Sequence, residues 1–441
     1  MFTTYLTAVR GFSRNARLFL FTLGLATLII DGVYAVVFNL YLLRLGYDAA
    51  FVGQINSAGL LTFAIASLPA GELGKRWGSR LAMIAGLWFV FVGSLALPWA
   101  GLILPAAQTV WLFLSYIVMF LGYAIFFVNG VPFLMASTTE DERDHAFSAQ
   151  TAIFSLAAFM GGLIGGLLPA LTGRVTGSDT DAIMPYRVPL LVAALLLLPG
   201  IVAAMRTQQN RTPARQRSRI KPLLRISGAN RTYLGLLLAV SVVRILQVAG
   251  TASVNTFFNV YMDQALDVPT ARIGAIAAVA RLASVPAALA VAALTARWGH
   301  RALVIASGVG TAIAILPLAL IPQWGAAASG FIGVIVFAAI RYPAFLVYSM
   351  GMVSEEQRPT MSGLSEMTAG IAFSGMALLG GYVITHFGYT IHFLLGAGFV
   401  MLGSLLFALY FRRPRGMVPE IIPHLVTGSG NSSPLDSARD A

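Results

Sequence analysis

Cysteine is missing from all 441 residues. Its absence excludes disulfides, thiolate nucleophiles and cysteine-ligated metals, and leaves the redox compartment undetermined. Charge is scarce as well. Only 10% of residues are Asp, Glu, Lys or Arg, against about 25% in soluble domains, too few to cover a water-facing surface. The five histidines (His145, His300, His386, His392 and His424) show no metal-ligand spacing and read as polar caps near loops or in the tail. Nucleotide motifs are incomplete. Gly71-Glu72-Leu73-Gly74-Lys75 is two residues short of a phosphate loop, and Gly308-Val309-Gly310 lacks the last glycine of a dinucleotide turn. The reading is a non-enzyme without metal or cofactor, driven by an ion gradient because no ATPase region accompanies it.

What is abundant is apolar sequence: 58% of the chain is hydrophobic. Runs of roughly 20 apolar residues, enough to cross about 30 Å of hydrocarbon, recur throughout. They do not alternate, which argues against a barrel. Hydropathy minima separate twelve spans near 18–43, 50–73, 80–104, 109–136, 147–171, 186–205, 232–262, 271–295, 302–322, 326–353, 361–386 and 389–411. The first run is too long for the apolar core of a cleavable signal peptide, and no small-residue cleavage site ends it. The net charge of +12 invites a nucleic-acid reading, but its distribution refutes that. With the N-terminus cytoplasmic, 22 of the 29 basic residues fall on that side. Arg44, Arg174, Arg187 and Arg272 fall on the other, and three arginines lie within spans. This is the positive-inside asymmetry of a multi-pass protein, expected in the cell membrane, as in a bacterial inner membrane, with both termini cytoplasmic.

The chain also repeats itself. Arg76-Trp77-Gly78-Ser79-Arg80 returns 221 positions on as Arg297-Trp298-Gly299-His300-Arg301. Phe38-Asn39-Leu40-Tyr41 is matched by Phe258-Asn259-Val260-Tyr261, Gly53 by Gly274, and Gly165-Gly166 by Gly380-Gly381. The sequence therefore divides into a six-helix bundle over 1–205, a basic cytoplasmic linker over 206–231, a second six-helix bundle over 232–411, and a polar tail over 412–441 expected to be disordered. Parallel repeats of this kind place a substrate site near mid-membrane between the halves.

Gly71-Glu72-Leu73-Gly74-Lys75-Arg76-Trp77-Gly78-Ser79-Arg80 resembles the loop signature of the major facilitator superfamily: Gly first, Leu third, an acid fifth, Arg sixth, Gly eighth and a basic residue tenth. A degenerate copy, Leu294-Thr295-Ala296-Arg297-Trp298-Gly299-His300-Arg301, sits where that family has its second one. The resemblance covers about residues 18–411. It implies an all-α fold of twelve transmembrane helices in two six-helix bundles and secondary transport by alternating access. It also implies a cytoplasmic gate at Gly71, Lys75, Arg76, Gly78, Arg80, Arg297, Gly299 and Arg301. Lys75 departs from the pattern, standing where the family has an acid. Glu366 is the expected partner for Lys75, Arg76 or Arg80 in the outward-facing state. Gly161-Gly162-Leu163-Ile164-Gly165-Gly166 resembles the family's antiporter motif but lacks its Gly-Pro pair and reads as close helix packing.

Charges deep in a membrane must face a cavity or a partner, since each costs at least about 2.5 kcal/mol at mid-bilayer. Asp31, halfway along the first span with Tyr34 and Phe38 on its face, is the candidate for proton coupling. Arg244, Gln247, Thr251 and Asn255 form a stripe within about 80° on the seventh span. Arg281 and Arg341 add cations from the eighth and tenth. These residues are the expected lining of a substrate cavity. The leading expectation is proton-coupled efflux of a small molecule (antiport). Transport of an organic anion or zwitterion through the arginines is the alternative, and a non-transporting sensor or assembly factor on the same fold is the reading of another class. The partners expected are a small-molecule substrate, the proton and the bilayer, with no nucleic acid, and the chain is read as a monomer.

Overall fold

The computed structural model describes residues 12–179, 182–208, 231–352 and 358–412. Most of the expected linker and nearly all of the tail lie outside them. Among the described residues the structure is helical, without a strand.

The first half contains α1 (Arg14–Arg44), α2 (Ala49–Trp77) and α3 (Ser79–Ala96), which a short 3₁₀ turn prolongs. It continues with α4 (Pro105–Ala136), α5 (Glu140–Thr176) and α6 (Met184–Met205). The second half begins with α7 (Arg231–Gln264). A helical stretch over Thr270–Leu320 is broken at Gly299 (φ 75°, ψ 158°) into α8 (270–298) and α9 (300–320), and α10 (Trp324–Gly351) follows. A last stretch, Arg358–Tyr410, is broken at Gly388 (φ 82°, ψ 174°) into α11 (358–387) and α12 (389–410). The apolar part of that stretch alone is 47 residues, roughly 70 Å at 1.5 Å per residue and more than twice the hydrocarbon thickness. It is therefore two spans, and the described chain crosses twelve times.

Local chemistry sets several of these boundaries. Ser13 caps α1 by accepting from the Ala16 N–H at 3.2 Å, and the Asp48 carboxylate caps α2 by accepting from Phe51 N–H at 2.9 Å. Pro105 opens α4, where its missing N–H costs nothing. The two copies of the basic loop turn in the same way: Gly78 has φ 85°, ψ 144°, close to Gly299, in a region open in practice only to glycine. The arginine two positions on does the same work in each half. Arg80 donates to Met205 O (2.7 Å) and to Thr207 Oγ1 (3.2 Å), and Arg301 donates to Ala408 O (2.8 Å). Each arginine thus satisfies carbonyls at the C-terminal end of the sixth helix of its own bundle, where a cation also meets the negative end of the helix dipole.

The halves meet most closely near the face opposite the basic loops. There α2 crosses α11 and α5 crosses α8, backbone against backbone. A Cβ on Gly53 would meet Ala377 O and stand 2.9 Å from Gly381 Cα. A Cβ on Gly274 would stand 2.5 Å from Gly166 Cα. Gly53 and Gly274 are repeat mates, as are Gly166 and Gly381, so the two crossings are one contact used twice.

Candidate functional site

Between the halves lies a cavity of about 400 Å³. From α1 it is lined by Ile30, Asp31, Tyr34, Ala35, Phe38 and Asn39, from α2 by Asn56, Leu60 and Phe63, and from α4 by Tyr116, Met119, Phe120 and Tyr123. The second half contributes Asn255 and Thr256 of α7, Arg281 of α8 and Phe373 of α11.

Asp31 sits in a π-helical segment, Leu28–Tyr34, within α1. Such segments are rare and gather at functional sites, because the extra residue per turn re-aims side chains. The Asp31 carboxylate accepts a hydrogen bond from Tyr123 O–H at 2.7 Å. Arg281 attracts it across the cavity, yet among the described residues no direct ion pair joins the two. A carboxylate on one half thus faces a guanidinium on the other with space between them. The walls are aromatic: Phe38 stacks on Tyr116 at 4.7 Å, and Phe63, Phe120 and Tyr123 form a further cluster.

Along the cavity wall, toward the face opposite the basic loops, polar groups form a chain between the halves. Tyr116 O–H donates to Asn56 Oδ1 (3.1 Å), Asn56 Nδ2 donates to Asn39 Oδ1 (2.9 Å), and Asn39 Nδ2 donates to Thr256 O of the other half (3.1 Å). Its repeat mate answers in reverse, Asn259 Nδ2 donating to Ala35 O at 2.7 Å. Farther out, Arg44 clasps Asp263 with two bonds of 2.7 and 2.9 Å and also donates to Tyr186 O–H. Both charged side chains are largely buried, at 17% and 9% exposure. Ser57 and Ser374 hydroxyls meet at 2.8 Å. These interhalf bonds all lie toward the same side.

Of the residues expected to line the cavity, Asp31, Tyr34, Phe38, Asn255 and Arg281 do so. Tyr34 presents its ring, while its buried hydroxyl donates to Ser94 O at 2.7 Å. Arg244, Gln247, Thr251 and Arg341 are absent from the lining and are buried inside the second bundle. Arg341 is 2% exposed and donates to the hydroxyls of Thr311 (3.0 Å) and Thr251 (2.8 Å). Arg244 lies over the rings of Tyr342 and Phe345, at 5.3 and 4.9 Å.

The expected gate residues are distributed as follows. Gly71 packs loosely on Val128, and Arg76 forms an exposed ion pair with Glu72 (3.5 Å) on its own helix. Arg297 lies over the Trp298 ring at 5.9 Å. Gly78 and Gly299 shape the turns, and Arg80 and Arg301 bind within their own bundles as above. The Lys75 side chain lies outside the described residues. Glu366 accepts from Tyr342 O–H at 2.8 Å and attracts Arg244, so among the described residues its partners belong to its own half. His392, read from sequence as a polar cap near a loop, is 1% exposed and bonds Ser253 Oγ at 2.8 Å.

Sequence reasoning passed over the Arg44–Asp263 clasp, Tyr123 as partner of Asp31, and Asn56 and Tyr116. A signal for the first was present: opposite charges follow the two copies of the Phe-Asn-x-Tyr repeat at nearly equivalent positions.

Comparison with known proteins adds the following. The family model described as Major Facilitator Superfamily matches residues 20–249 and 240–424. Among solved structures, a D-xylose-proton symporter superposes with TM-score 0.70 at 13% identity, covering 89% of this chain and 96% of that one. The nucleoside transporter NupG gives 0.72 at 12% identity, covering 90% and 99%. A bacterial homologue of the human lysosomal transporter Spinster, in an inward-facing and occupied conformation, gives 0.64 at 16% identity, covering 90% and 96%. No curated protein matches the chain.

Proposed function

The chain belongs to the major facilitator superfamily, and from that premise we propose that this membrane transporter moves a small organic anion or zwitterion together with a proton by alternating access. The observation that carries the proposal is the Asp31 carboxylate facing the Arg281 guanidinium across the interhalf cavity.

Charge arithmetic gives the coupling. Guanidinium stays charged. With Asp31 ionised the pair sums to zero, and with Asp31 protonated the cavity is left with one positive charge. A substrate carboxylate or phosphate is then bound by Arg281 in bidentate fashion, and each ligand favours the other as linkage requires. A zwitterion uses both groups, its ammonium at Asp31. The aromatic walls accept a planar or apolar body, in keeping with sites lined by aromatics and a few oriented polar groups.

The basic loops mark the cytoplasmic face by the positive-inside rule. The Asn39, Asn259 and Arg44–Asp263 bonds then close the outer side, and the conformation is inward-facing. Opening outward breaks these bonds, while the basic-loop segments of α2 and α8 close toward α11 and α5. The chain from Tyr116 through Asn56 to Asn39 links the cavity wall to that outer closure.

A second reading, proton-coupled export of amphipathic cations by competition at Asp31, is favoured by the aromatic lining. Arg281 opposes it, because a cation at Asp31 sits beside a permanent positive charge.

The test is transport by purified protein in liposomes with an imposed pH gradient, using aromatic carboxylates, aromatic amino acids and aromatic amines as probes. Carboxylates or amino acids are expected to accumulate with the inward proton gradient, and Arg281→Gln to abolish this. Asp31→Asn is expected to stop gradient-driven accumulation while exchange continues. Transport of amines alone, unaffected by Arg281→Gln, would overturn the anion reading in favour of cation export.

A further inference from the structure

A second cavity, of about 410 Å³, shares no residue with the first. It is a groove between α1 and α5 on the basic-loop side. Arg17, Leu20, Phe21, Gly24, Leu25 and Leu28 of α1 form one wall, at the spacing of one helix face, and α5 supplies the other from Ile153 to Met160.

Its origin lies in the packing of these two helices. They touch backbone to backbone where Gly32 meets Gly161, so closely that a Cβ on either would strike the backbone of the other helix. On the basic-loop side of that point a gap lies between α1 and α5. Gly24 deepens the gap by presenting no side chain, and Ala157 lines it as another small residue. The π-helical segment begins at Leu28, the inner end of the groove.

Three properties identify the occupant. Apart from Arg17 the lining is wholly apolar. Eleven residues separate Arg17 from Leu28, about 16 Å along the helix, which is close to half of the ~30 Å hydrocarbon core and hence one leaflet. The single charged residue is a cation at the outer end, where a headgroup lies. Phe21 and Leu156 form exposed rims at 52% and 56%, so the groove can be entered sideways from lipid.

We propose that the α1–α5 groove is a binding site for one acidic phospholipid of the basic-loop leaflet, its phosphate at Arg17 and one acyl chain along α1 as far as the Gly32–Gly161 crossing. A chain in this position fills the gap and props the two helices apart below that crossing. Since α5 also carries Gly166 against Gly274 of the other half, the lipid stabilises the separation of α1 from α5 seen in this conformation.

Native mass spectrometry of the full-length protein in detergent tests this, titrating phosphatidylglycerol and phosphatidylcholine of identical acyl chains, with inorganic phosphate as a further arm. The expected result is one phosphatidylglycerol retained at roughly tenfold lower concentration than phosphatidylcholine, with no competition from inorganic phosphate. Arg17→Gln, at an exposed position, should remove the tenfold preference but leave weak binding. Gly24→Leu, which fills the groove against a side chain of Ile153 rather than backbone, should abolish the first bound lipid of either kind, while circular dichroism and monodispersity confirm folding. Equal retention of the two lipids by the wild type, or an undiminished preference in Arg17→Gln, would overturn the proposal. Displacement by inorganic phosphate would also overturn it, since it would show an anion site that does not use the acyl chain.

Discussion

Gly53→Ala is expected to open the face opposite the basic loops. The added Cβ would meet Ala377 O and stand 2.9 Å from Gly381 Cα and 3.1 Å from its N. These are backbone atoms, so no rotamer change relieves the overlap, and α2 and α11 must part. Overpacking by one methyl costs about 1–3 kcal/mol, and only in the conformation where the helices touch. The equilibrium should therefore shift by about 5- to 150-fold toward the conformation in which they have separated. Alanine also favours the helix by up to about 1 kcal/mol over glycine, but in both conformations alike, so thermal stability should not fall in step with the shift. Gly375→Ala on α11, where a Cβ meets nothing within 4 Å, is the control for propensity alone. Because the native chain has no cysteine, spin labels can be placed directly at the exposed Ala106 and Gln323 on the same face. Double electron–electron resonance should then resolve a longer distance in Gly53→Ala that is absent from Gly375→Ala. Identical distributions in the two variants would refute the argument that this crossing holds the closure.

Further outcomes follow from other contacts. Asp263→Asn removes the Arg44–Asp263 ion pair and should weaken the same closure by about 1.5–3 kcal/mol, the range for hydrogen bonds to charged groups; an unchanged label distance would count against the clasp as a gate. Gly78→Ala and Gly299→Ala should each destabilise by about 1–3 kcal/mol through backbone strain, read as similar losses in melting temperature; indifference at either would contradict the matched turns. Arg341→Met removes a buried charge whose hydrogen-bond partners, among the described residues, are threonine hydroxyls, and should leave stability within about 1 kcal/mol or raise it, whereas a loss above about 3 kcal/mol would contradict that reading. Carboxylate binding should strengthen as pH falls through the range where Asp31 takes up its proton, because the proton unmasks the Arg281 charge; in Asp31→Asn the affinity should no longer vary with pH across that range.

The fold was legible because its determinants are one-dimensional. Span length follows from bilayer thickness, and the duplicated Arg-Trp-Gly-x-Arg loop corresponds to two turns with the same glycine-only backbone. The Phe-Asn-x-Tyr repeat carried more than its pattern disclosed: its asparagines form the reciprocal bonds between halves, a relation that sequence spacing alone does not express. Asp31 was legible through the cost of a charge at mid-bilayer. Arg244 and Arg341 raised the same alarm with a different resolution. A polar stripe on α7 identifies residues turned from lipid, but not whether they face the interhalf cavity, as Asn255 does, or a neighbouring helix, as Thr251 does. The π-helical segment that aims Asp31 left no mark in the hydrophobic periodicity. Tyr123 and Asn56 are neutral residues that gain their significance from distant partners.

Joint binding of a proton at Asp31 and of an anionic group at Arg281 is the step on which the proposed coupling depends. It is tested most directly by following proton exchange when an aromatic carboxylate binds the purified protein in weakly buffered solution near the midpoint of Asp31 protonation. Net proton uptake is expected in the wild type, none in Asp31→Asn, and loss of carboxylate binding in Arg281→Gln. Proton release on binding, or the same uptake in Asp31→Asn, would contradict it.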